Sequence, residues 1–271
     1  MTHDHVTSAQ VKLRRRVIVA FLIGLLVTAN AYQLLDLWAA PSCRNYSETR
    51  LDAKALISNV WDHDGTVGFQ CIFSDMSRVD HVSAFWLWAW PFRKHDDLPK
   101  SSVNITYGRT PWQKMSTSPL LPIRLTNMKA MKIRYAISSK GVGKFVTAIK
   151  IYLTTASDPA PQNIDTEIMI WLDGRDAFPW AEREGDLQVD RQKFDLWAGK
   201  IESWKFLTIR LSNNAAADIL DVRAILSALI QRKYIRDVLY LTSVELGDEI
   251  TQGPGYTIVS DFDVDITRLD R

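Results

Sequence analysis

One short segment of the chain places a carboxylate, a thioether and an indole side by side. Side chains alternate across a β-strand, so in residues 167–172 (Glu-Ile-Met-Ile-Trp-Leu) Glu167, Met169 and Trp171 share one face. The opposite face is aliphatic and is typical of a core. An aromatic ring can stack against a sugar ring, and a carboxylate beside it can attack the anomeric carbon of that sugar. We therefore interpret the Glu167 face as part of a saccharide groove.

A second candidate acid is Glu249, which ends a β-favouring segment and precedes the turn-rich residues 252–255 (Gln-Gly-Pro-Gly). Retaining glycosidases use two carboxyl groups about 5 to 5.5 Å apart, one as nucleophile and one as acid and then base. Two nearby acids compete for the second role. Asp248 points to the face opposite Glu249, whereas Glu245 shares the face of Glu249 but lies further along the strand.

Several motifs, in this order along the chain, resemble glycoside hydrolase family 12, the small jelly-roll endo-β-1,4-glucanases. Residues 167–171 match the family's nucleophile segment, and Gly247-Asp248-Glu249 with Gly253 and Gly255 matches its acid/base segment. Further matches are 59–61 ahead of 70–72, 88–90, 107–112 and 197–199. The resemblance extends from about Cys43 to the C-terminus.

The resemblance implies an all-β fold, a jelly-roll β-sandwich of two antiparallel sheets with a concave substrate groove. It implies a retaining endo-β-1,4-glucanase that cleaves cellulose-type or mixed-linkage β-glucan by double displacement. Glu167 would be the nucleophile and Glu249 the general acid/base, ahead of Glu245 and Asp248. The alternatives are a xyloglucan-specific endoglucanase or transglycosylase on this fold, and a non-catalytic glucan-binding module, against which the presence of both glutamates argues.

Aromatic and polar side chains are expected to hold the glucan. Trp61 aligns with a tryptophan that stacks a glucose ring in the family, and Asn59 aligns with a polar ligand beside it. Trp88 and Trp90 share a strand face, so they either extend the aromatic platform or fill the core. The candidate substrate-binding residues are therefore Asn59, Trp61, Trp88, Trp90, Met169 and Trp171.

Two positions depart from the family pattern. Lys150 stands where the family usually has an aspartate hydrogen-bonded close to the nucleophile. An ammonium near Glu167 would favour the ionised carboxylate and lower its pKa, so we expect an altered pH profile. The segment Pro179-Trp180-Ala181 replaces a loop that in the family is often Pro-Ile-Gly, which would reshape the product-side subsites.

The distribution of charge separates the N-terminal segment from the rest of the chain. Before Tyr32, four basic side chains against one acid give +3, so the net charge of +2 leaves about −1 for the remainder. A near-neutral body argues against a nucleic-acid partner, because phosphate binding needs a basic face. A neutral polysaccharide requires no such face. No metal or other cofactor is expected, since the five histidines lack zinc-type spacing.

The N-terminal segment is typical of an export signal. A basic cluster precedes the apolar run 17–28, and Ala29-Asn30-Ala31 suits signal peptidase. We predict a signal peptide over residues 1–31 and a single catalytic domain over 32–271, secreted or periplasmic. The apolar stretch continued through 17–35 nearly spans a bilayer, so a membrane anchor facing outside the cytoplasm remains the alternative. A monomer is expected.

The remaining patterns concern the scaffold. Short β-favouring runs between 57 and 173 predict antiparallel sheets, and the apolar spacing from Asp218 to about Arg236 predicts one outer helix capped near Asn213 or Asn214. The loops 155–164 and 174–185 are expected to border the groove.

The two cysteines are Cys43 and Cys71. An oxidising compartment would let them pair, and in the family a disulfide commonly joins these two regions. Two buried free thiols are the alternative.

Overall fold

The computed structural model describes residues 41–61, 67–74, 84–93, 98–189, 192–201, 203–211 and 217–269. These residues belong to one compact unit. The predicted signal or anchor lies outside the described residues, as do Asn213 and Asn214, so the boundary at residue 31 stays a prediction. Within the described part of the chain, no helix is long and apolar enough to cross a membrane.

Strands dominate the described residues. In chain order they are β1 (Glu48–Leu51), β2 (Lys54–Val60), β3 (Phe69–Ser74), β4 (Ala84–Trp90), β5 (Ser101–Gly108), β6 (Ile123–Arg124), β7 (Met128–Gly141), β8 (Lys144–Thr154), β9 (Ile164–Arg175), β10 (Glu182–Val189), β11 (Gln192–Ile201), β12 (Trp204–Leu211), β13 (Ala217–Asp221) and β14 (Tyr240–Arg268). One α-helix, α1 (Val222–Gln231), and two 3-10 helices, Leu125–Asn127 and Pro161–Asn163, complete the elements.

Two sheets form a sandwich and share β14. The large sheet has the order β1-β2-β5-β14-β8-β9-β12-β11-β10, and the small sheet has the order β3-β4-β14-β7-β13. The first half of β14, residues 240–252, pairs with β5, β6 and β8. Its second half, residues 253–268, pairs with β4 and β7. The two sheets are therefore joined through one continuous backbone.

The core lies between the sheets and confirms the predicted β-sandwich. Ile168, Ile170 and Leu172 of β9 lie in this core, on the face opposite Glu167, as the alternation predicts. One strand pair departs from the antiparallel expectation, because β12 runs parallel to β9. That pairing brings β12 beside the strand that carries Glu167.

The helix is shorter at both ends than the sequence predicts. Residues 217–221 pair with β7 as strand β13, so α1 begins only at Val222. The cap is Asp221, whose side chain accepts from the Ala224 N–H, not Asn213 or Asn214. The expected end near Arg236 is also wrong, because the chain leaves the helix after Gln231. The helix buries Val222, Ile225, Leu226 and Leu229, and it contacts β7 and β10.

Cys43 and Cys71 form a disulfide, as the resemblance implies. Next to it, Ser42 and Ile72 exchange backbone hydrogen bonds, so the segment before β1 is attached to β3. The cross-link closes a loop of 28 residues. In the chain-entropy model, a loop of this length contributes about 3 kcal/mol of stability.

Candidate active site

A cleft of about 1140 Å³ lies against the face of the large sheet that is opposite the core. Strands β2, β5, β14, β8, β9 and β12 supply its floor. The loop between β9 and β10 borders it, as predicted for residues 174–185. The lining includes Asn59, Trp61, Ser102, Asn104, Trp112, Lys150, Tyr152, Glu167, Met169, Trp171, Phe178, Trp180, Trp204, Phe206, Glu245 and Glu249.

Strand register determines which side chains meet on this floor. β8 lies between β14 and β9, so Lys150 is opposite Glu245 on one side and opposite Met169 on the other. Two pairs further along, on the same face, Tyr152 is opposite Glu167. Because alternate residues share a face, the cleft gathers acids from two strands around the lysine of the strand between them.

Glu167 is buried, with 6% of its surface exposed. Its Oε2 accepts a hydrogen bond from the Trp204 indole N–H at 3.2 Å, and Tyr152 lies opposite it on β8. Burial and the negative charge of Glu249 raise the Glu167 pKa to about 7, against the opposing effects of Lys150, Trp204 and Tyr152. Lys150 does lower this pKa, as predicted, but burial and Glu249 outweigh the lysine, so the pKa lies above its ordinary value.

Lys150 contacts Glu249 rather than Glu167. Its Nζ lies 3.4 Å from Oε1 of Glu249 and 3.7 Å from Oε2 of Glu245. Burial alone would lower the Lys150 pKa, but the surrounding carboxylates outweigh it and raise the pKa. The position opposite Glu167, which the sequence assigns to Lys150, is occupied by Tyr152. The two side chains share a strand face, so the prediction missed by two residues.

The two acids that compete with Glu249 lie on different faces of β14. Glu245 is buried in the cleft, and burial raises its pKa while Lys150 opposes the shift. Asp248 faces the core, as the alternation predicts, and is fully buried. The described residues contain no group of three or more His, Cys, Asp or Glu side chains arranged to hold a metal ion.

The structure separates the candidate substrate-binding residues into two groups. Asn59, Trp61, Met169 and Trp171 line the cleft, and Trp61 is 43% exposed there.

Trp88 and Trp90 lie in the core, 1% and 4% exposed, so the platform interpretation of these two is corrected. Trp88 packs edge-on against Phe145, and the Trp90 indole donates to Ser101 Oγ at 3.0 Å. Their shared strand β4 belongs mainly to the small sheet, and its even-numbered side chains point between the sheets.

An aromatic wall beside Glu167 was not predicted from the sequence. The ring of Trp112 meets Tyr152 edge-on at 5.4 Å and Trp204 at 6.4 Å between centroids. Tyr152 shares the face of Lys150, and Trp204 directly precedes the alternating segment 205–211. The alternation could have found both residues, had the neighbours of β9 been known.

The second predicted border loop, residues 155–164, supports the cleft without lining it. Asp158 binds Arg109 at 2.6 Å, and Arg109 also donates to the Pro159 carbonyl at 3.2 Å. The adjoining residues Thr110, Trp112 and Gln113 do line the cleft. The loop therefore holds in place the segment that carries Trp112.

A β-sandwich with buried carboxyl groups in a cleft walled by aromatic side chains is the architecture of a glycoside hydrolase. The family model described as Glycosyl hydrolase family 12 matches residues 54–267, and the chain belongs to this family. The family prediction is thereby confirmed.

Individual relatives agree with this assignment. Endoglucanase S of Pectobacterium parmentieri is 26% identical over 222 residues, which cover 78% of this chain and 81% of that protein. The family 12 xyloglucanase from Bacillus licheniformis has a TM-score of 0.76 at 20% identity, covering 84% of this chain and 100% of that one. Endoglucanase cel12A from Rhodothermus marinus has a TM-score of 0.72 at 20% identity, covering 85% and 100%. The two solved structures share the fold of this chain.

Proposed function

We propose that this glycoside hydrolase is a retaining endo-β-1,4-glucanase that hydrolyses internal bonds of cellulose-type or mixed-linkage β-glucan. The observation that carries the proposal is that Glu167 and Glu249 face one cleft from strands separated only by β8. They are close enough for the charge of Glu249 to raise the pKa of Glu167. The endoglucanases among its relatives support the same activity.

In this mechanism Glu167 attacks the anomeric carbon and Glu249 protonates the leaving glycosidic oxygen. Glu249 then takes a proton from the water that hydrolyses the glycosyl ester on Glu167, so the product keeps its anomeric configuration. The hydrogen bond from Trp204 holds the Glu167 carboxylate in place, and Trp204 and Tyr152 both favour its ionised form.

The electrostatic coupling of the two acids disfavours the state in which both are ionised. The negative charge of Glu249 raises the Glu167 pKa, so the pair favours one shared proton, and catalysis requires this proton on Glu249 while Glu167 is ionised. Lys150 opposes this state through its contact with Glu249. Glu245 offers the ammonium a second carboxylate, which compensates Lys150 when Glu249 is neutral.

Four cleft residues are proposed to bind the glucan. Trp61 presents an exposed ring on which a sugar can stack. Asn59 Oδ1 and Trp171 Nε1 are buried and have no hydrogen-bond partner within the described part of the chain. An acceptor and a donor of this kind suit sugar hydroxyl groups, which would replace the water they otherwise bind. Met169 packs beside Trp171 and shapes the floor.

The first test is reducing-end release from barley β-glucan, carboxymethylcellulose and xyloglucan by the wild type, Glu167→Gln and Glu249→Gln. Both variants should lose activity by about 10⁴-fold. An aryl cellobioside with an acidic phenol as leaving group separates the roles, because its departure needs no protonation. Glu249→Gln should still release the phenol in a first turnover, whereas Glu167→Gln should not.

The outcomes discriminate the alternatives. Activity on xyloglucan alone would replace the substrate assignment by the xyloglucan-specific one. An inverted product in NMR would overturn double displacement. A folded wild type that releases nothing but is retarded in glucan-containing gels would be a binding module.

We also propose export and a monomeric state. The basic and apolar N-terminal segment and the disulfide support export, because disulfides persist in oxidising compartments. Mass analysis of the mature N-terminus tests it. A new terminus after Ala31 indicates cleavage, whereas an intact Met1 favours the anchor through residues 17–35. Light scattering of the purified protein measures the oligomeric state.

A further inference from the structure

The carboxyl group of Asp248 lies in the core directly behind Glu249. It is fully buried, and three side chains direct donors to it. Trp86 Nε1 and Thr257 Oγ1 each lie 2.6 Å from Oδ2, and Thr147 Oγ1 bonds to Oδ1. The donors come from β4, β8 and the second half of β14, so this one carboxyl group contacts both sheets.

Ser139 of β7 closes these contacts into a ring. Its Oγ lies 2.9 Å from Thr147 Oγ1 and 2.8 Å from Thr257 Oγ1. The path Asp248, Thr147, Ser139, Thr257 and back to Asp248 therefore contains four oxygen–oxygen contacts. We call these four residues the polar ring.

A count of protons decides the charge of the ring. Each oxygen–oxygen contact needs one proton, and the three hydroxyl groups supply three in all. An ionised Asp248 supplies none, so one contact would bring two lone pairs together, which is unfavourable in the buried contacts of Asp248 and in the partly buried contacts of Ser139. A protonated Asp248 supplies the fourth proton, and every contact becomes a hydrogen bond running one way around the ring. The Trp86 indole N–H also donates to Asp248, but Trp86 is not a member of the ring and does not enter this count.

We propose that at mildly acidic pH Asp248 carries a proton, and that the closed polar ring positions Glu249. The second half of this statement rests on the proposed function, which makes Glu249 the acid/base. Asp248 and Glu249 are adjacent on β14 and point to opposite faces, so a contact that fixes one also fixes the backbone of the other. Asp248 is a positioning residue, because it lies on the face away from the cleft.

The surroundings of Asp248 act in the same direction. Burial raises its pKa to about 6, against the hydrogen bonds from Thr147, Thr257 and Trp86. Among the described residues, the charged group that acts on it is Asp173 of β9, whose negative charge raises the pKa further. The other members of the ring are uncharged. Ionisation above about pH 6 would break the ring and loosen β14 beside Glu249.

Asp248→Asn tests the ring, because an amide can donate to Thr147 while it accepts from Thr257 and Trp86 at every pH. The wild-type Asp gains a raised pKa on folding, so its stabilising effect is complete below about pH 4 and is lost as pH rises through about 6. The unfolding equilibrium constants of the variant and the wild type should therefore be equal at pH 4. At pH 8 the variant should have an unfolding equilibrium constant about 100-fold smaller.

The positioning of Glu249 by the polar ring is tested separately, by the pH dependence of kcat. The ratio of the wild-type kcat to the Asp248→Asn kcat should fall as pH rises through about 6, with KM equal in the two proteins because the glucan contacts the other face. Identical kcat profiles would overturn the positioning role. A variant that is less stable than the wild type at every pH would overturn the protonated ring.

Infrared spectroscopy of the wild type, labelled with carbon-13 only in its aspartate side chains, gives a measurement that needs neither activity nor a folded Asp248 variant. The label separates Asp248 from Glu167 and Glu245, whose pKa values are also raised. A protonated band from a labelled carboxyl group should be present at pH 5 and should disappear as pH rises. Asp173→Asn removes the neighbouring negative charge, so it should lower the midpoint of this titration. Absence of the band at pH 5, or a midpoint unmoved by Asp173→Asn, would overturn the proposal. An inactive wild type that shows the band would instead refute only the proposed function and the positioning role that rests on it.

Discussion

The two faces of β14 carry acids in different surroundings. On the cleft face, Glu245 and Glu249 share the ammonium of Lys150 at 3.7 and 3.4 Å. On the core face, the neighbouring Asp248 is surrounded by neutral donors from both sheets. The charged contacts can be rearranged when substrate or a proton arrives, whereas the ring is complete in only one protonation state. Acids adjacent in sequence are therefore matched to different roles by the side chains that surround them.

The largest expected effect concerns the energetic cost of a buried acid on the cleft face. Glu167 has a folded pKa of about 7, above its ordinary 4.5, so its contribution to stability is complete below pH 4.5 and is lost as pH rises through 7. Glu167→Gln should abolish activity. It should also raise the free energy of unfolding over that of the wild type, by about 3 kcal/mol more at pH 8 than at pH 4. Urea unfolding at the two pH values measures this difference.

Glu182→Gln provides the matched control for this measurement. Glu182 is exposed on β10, so the same chemical change should leave the pH dependence of stability unaltered. If Glu167→Gln also left the pH dependence of stability unaltered, burial of the Glu167 carboxylate would not destabilise the protein at high pH.

A smaller effect is expected at Lys150, whose ammonium contacts two carboxylates on the cleft face. Glu245→Gln removes one of the carboxylates that hold Lys150, which commits the ammonium to Glu249. The alkaline limb of the kcat profile should then move to lower pH by about one unit. Lys150→Met should move it to higher pH, because it leaves the carboxylates uncompensated. Shifts of both variants in one direction would contradict the sharing of Lys150.

The smallest effects separate two tryptophans that lie on different faces. Trp61→Ala should raise KM for β-glucan about tenfold, because it removes a stacking surface in the cleft. Trp88→Phe should leave KM unchanged and lower the free energy of unfolding by about 1 to 3 kcal/mol, because it creates a cavity in the core. A KM effect of Trp88→Phe would return that side chain to the substrate platform.

Local alternation predicted much of the site, and long-range pairing explains what it missed. It placed Glu167 opposite a core face and Asp248 opposite Glu249, because each statement needs only one strand. It could not place Tyr152 and Trp204 beside Glu167, since that requires knowing that β8 and β12 flank β9. Alternation also shows that Trp88 and Trp90 share a face, but not which face, because that depends on the sheet to which β4 belongs.

The early start predicted for the helix has a similar origin. Residues 218–221 fit a helical spacing, yet the edge of β7 offers them backbone hydrogen bonds as strand β13. The side chain of Ile219 is exposed there, so its apolar character carried no information about packing.

The sharing of β14 between the sheets has a consequence for folding. This strand of 29 residues lies inside both sheets and follows every other described strand along the chain. A nascent chain that ends at α1 would leave β5 and β8 in one sheet, and β4 and β7 in the other, with unpaired edges. Such edges promote association between chains, and the contacts that relieve them are distant in sequence and slow to form. Ribosomal synthesis therefore delivers β14 after every other described strand, so the separate strand groups of each sheet stay unjoined until β14 emerges.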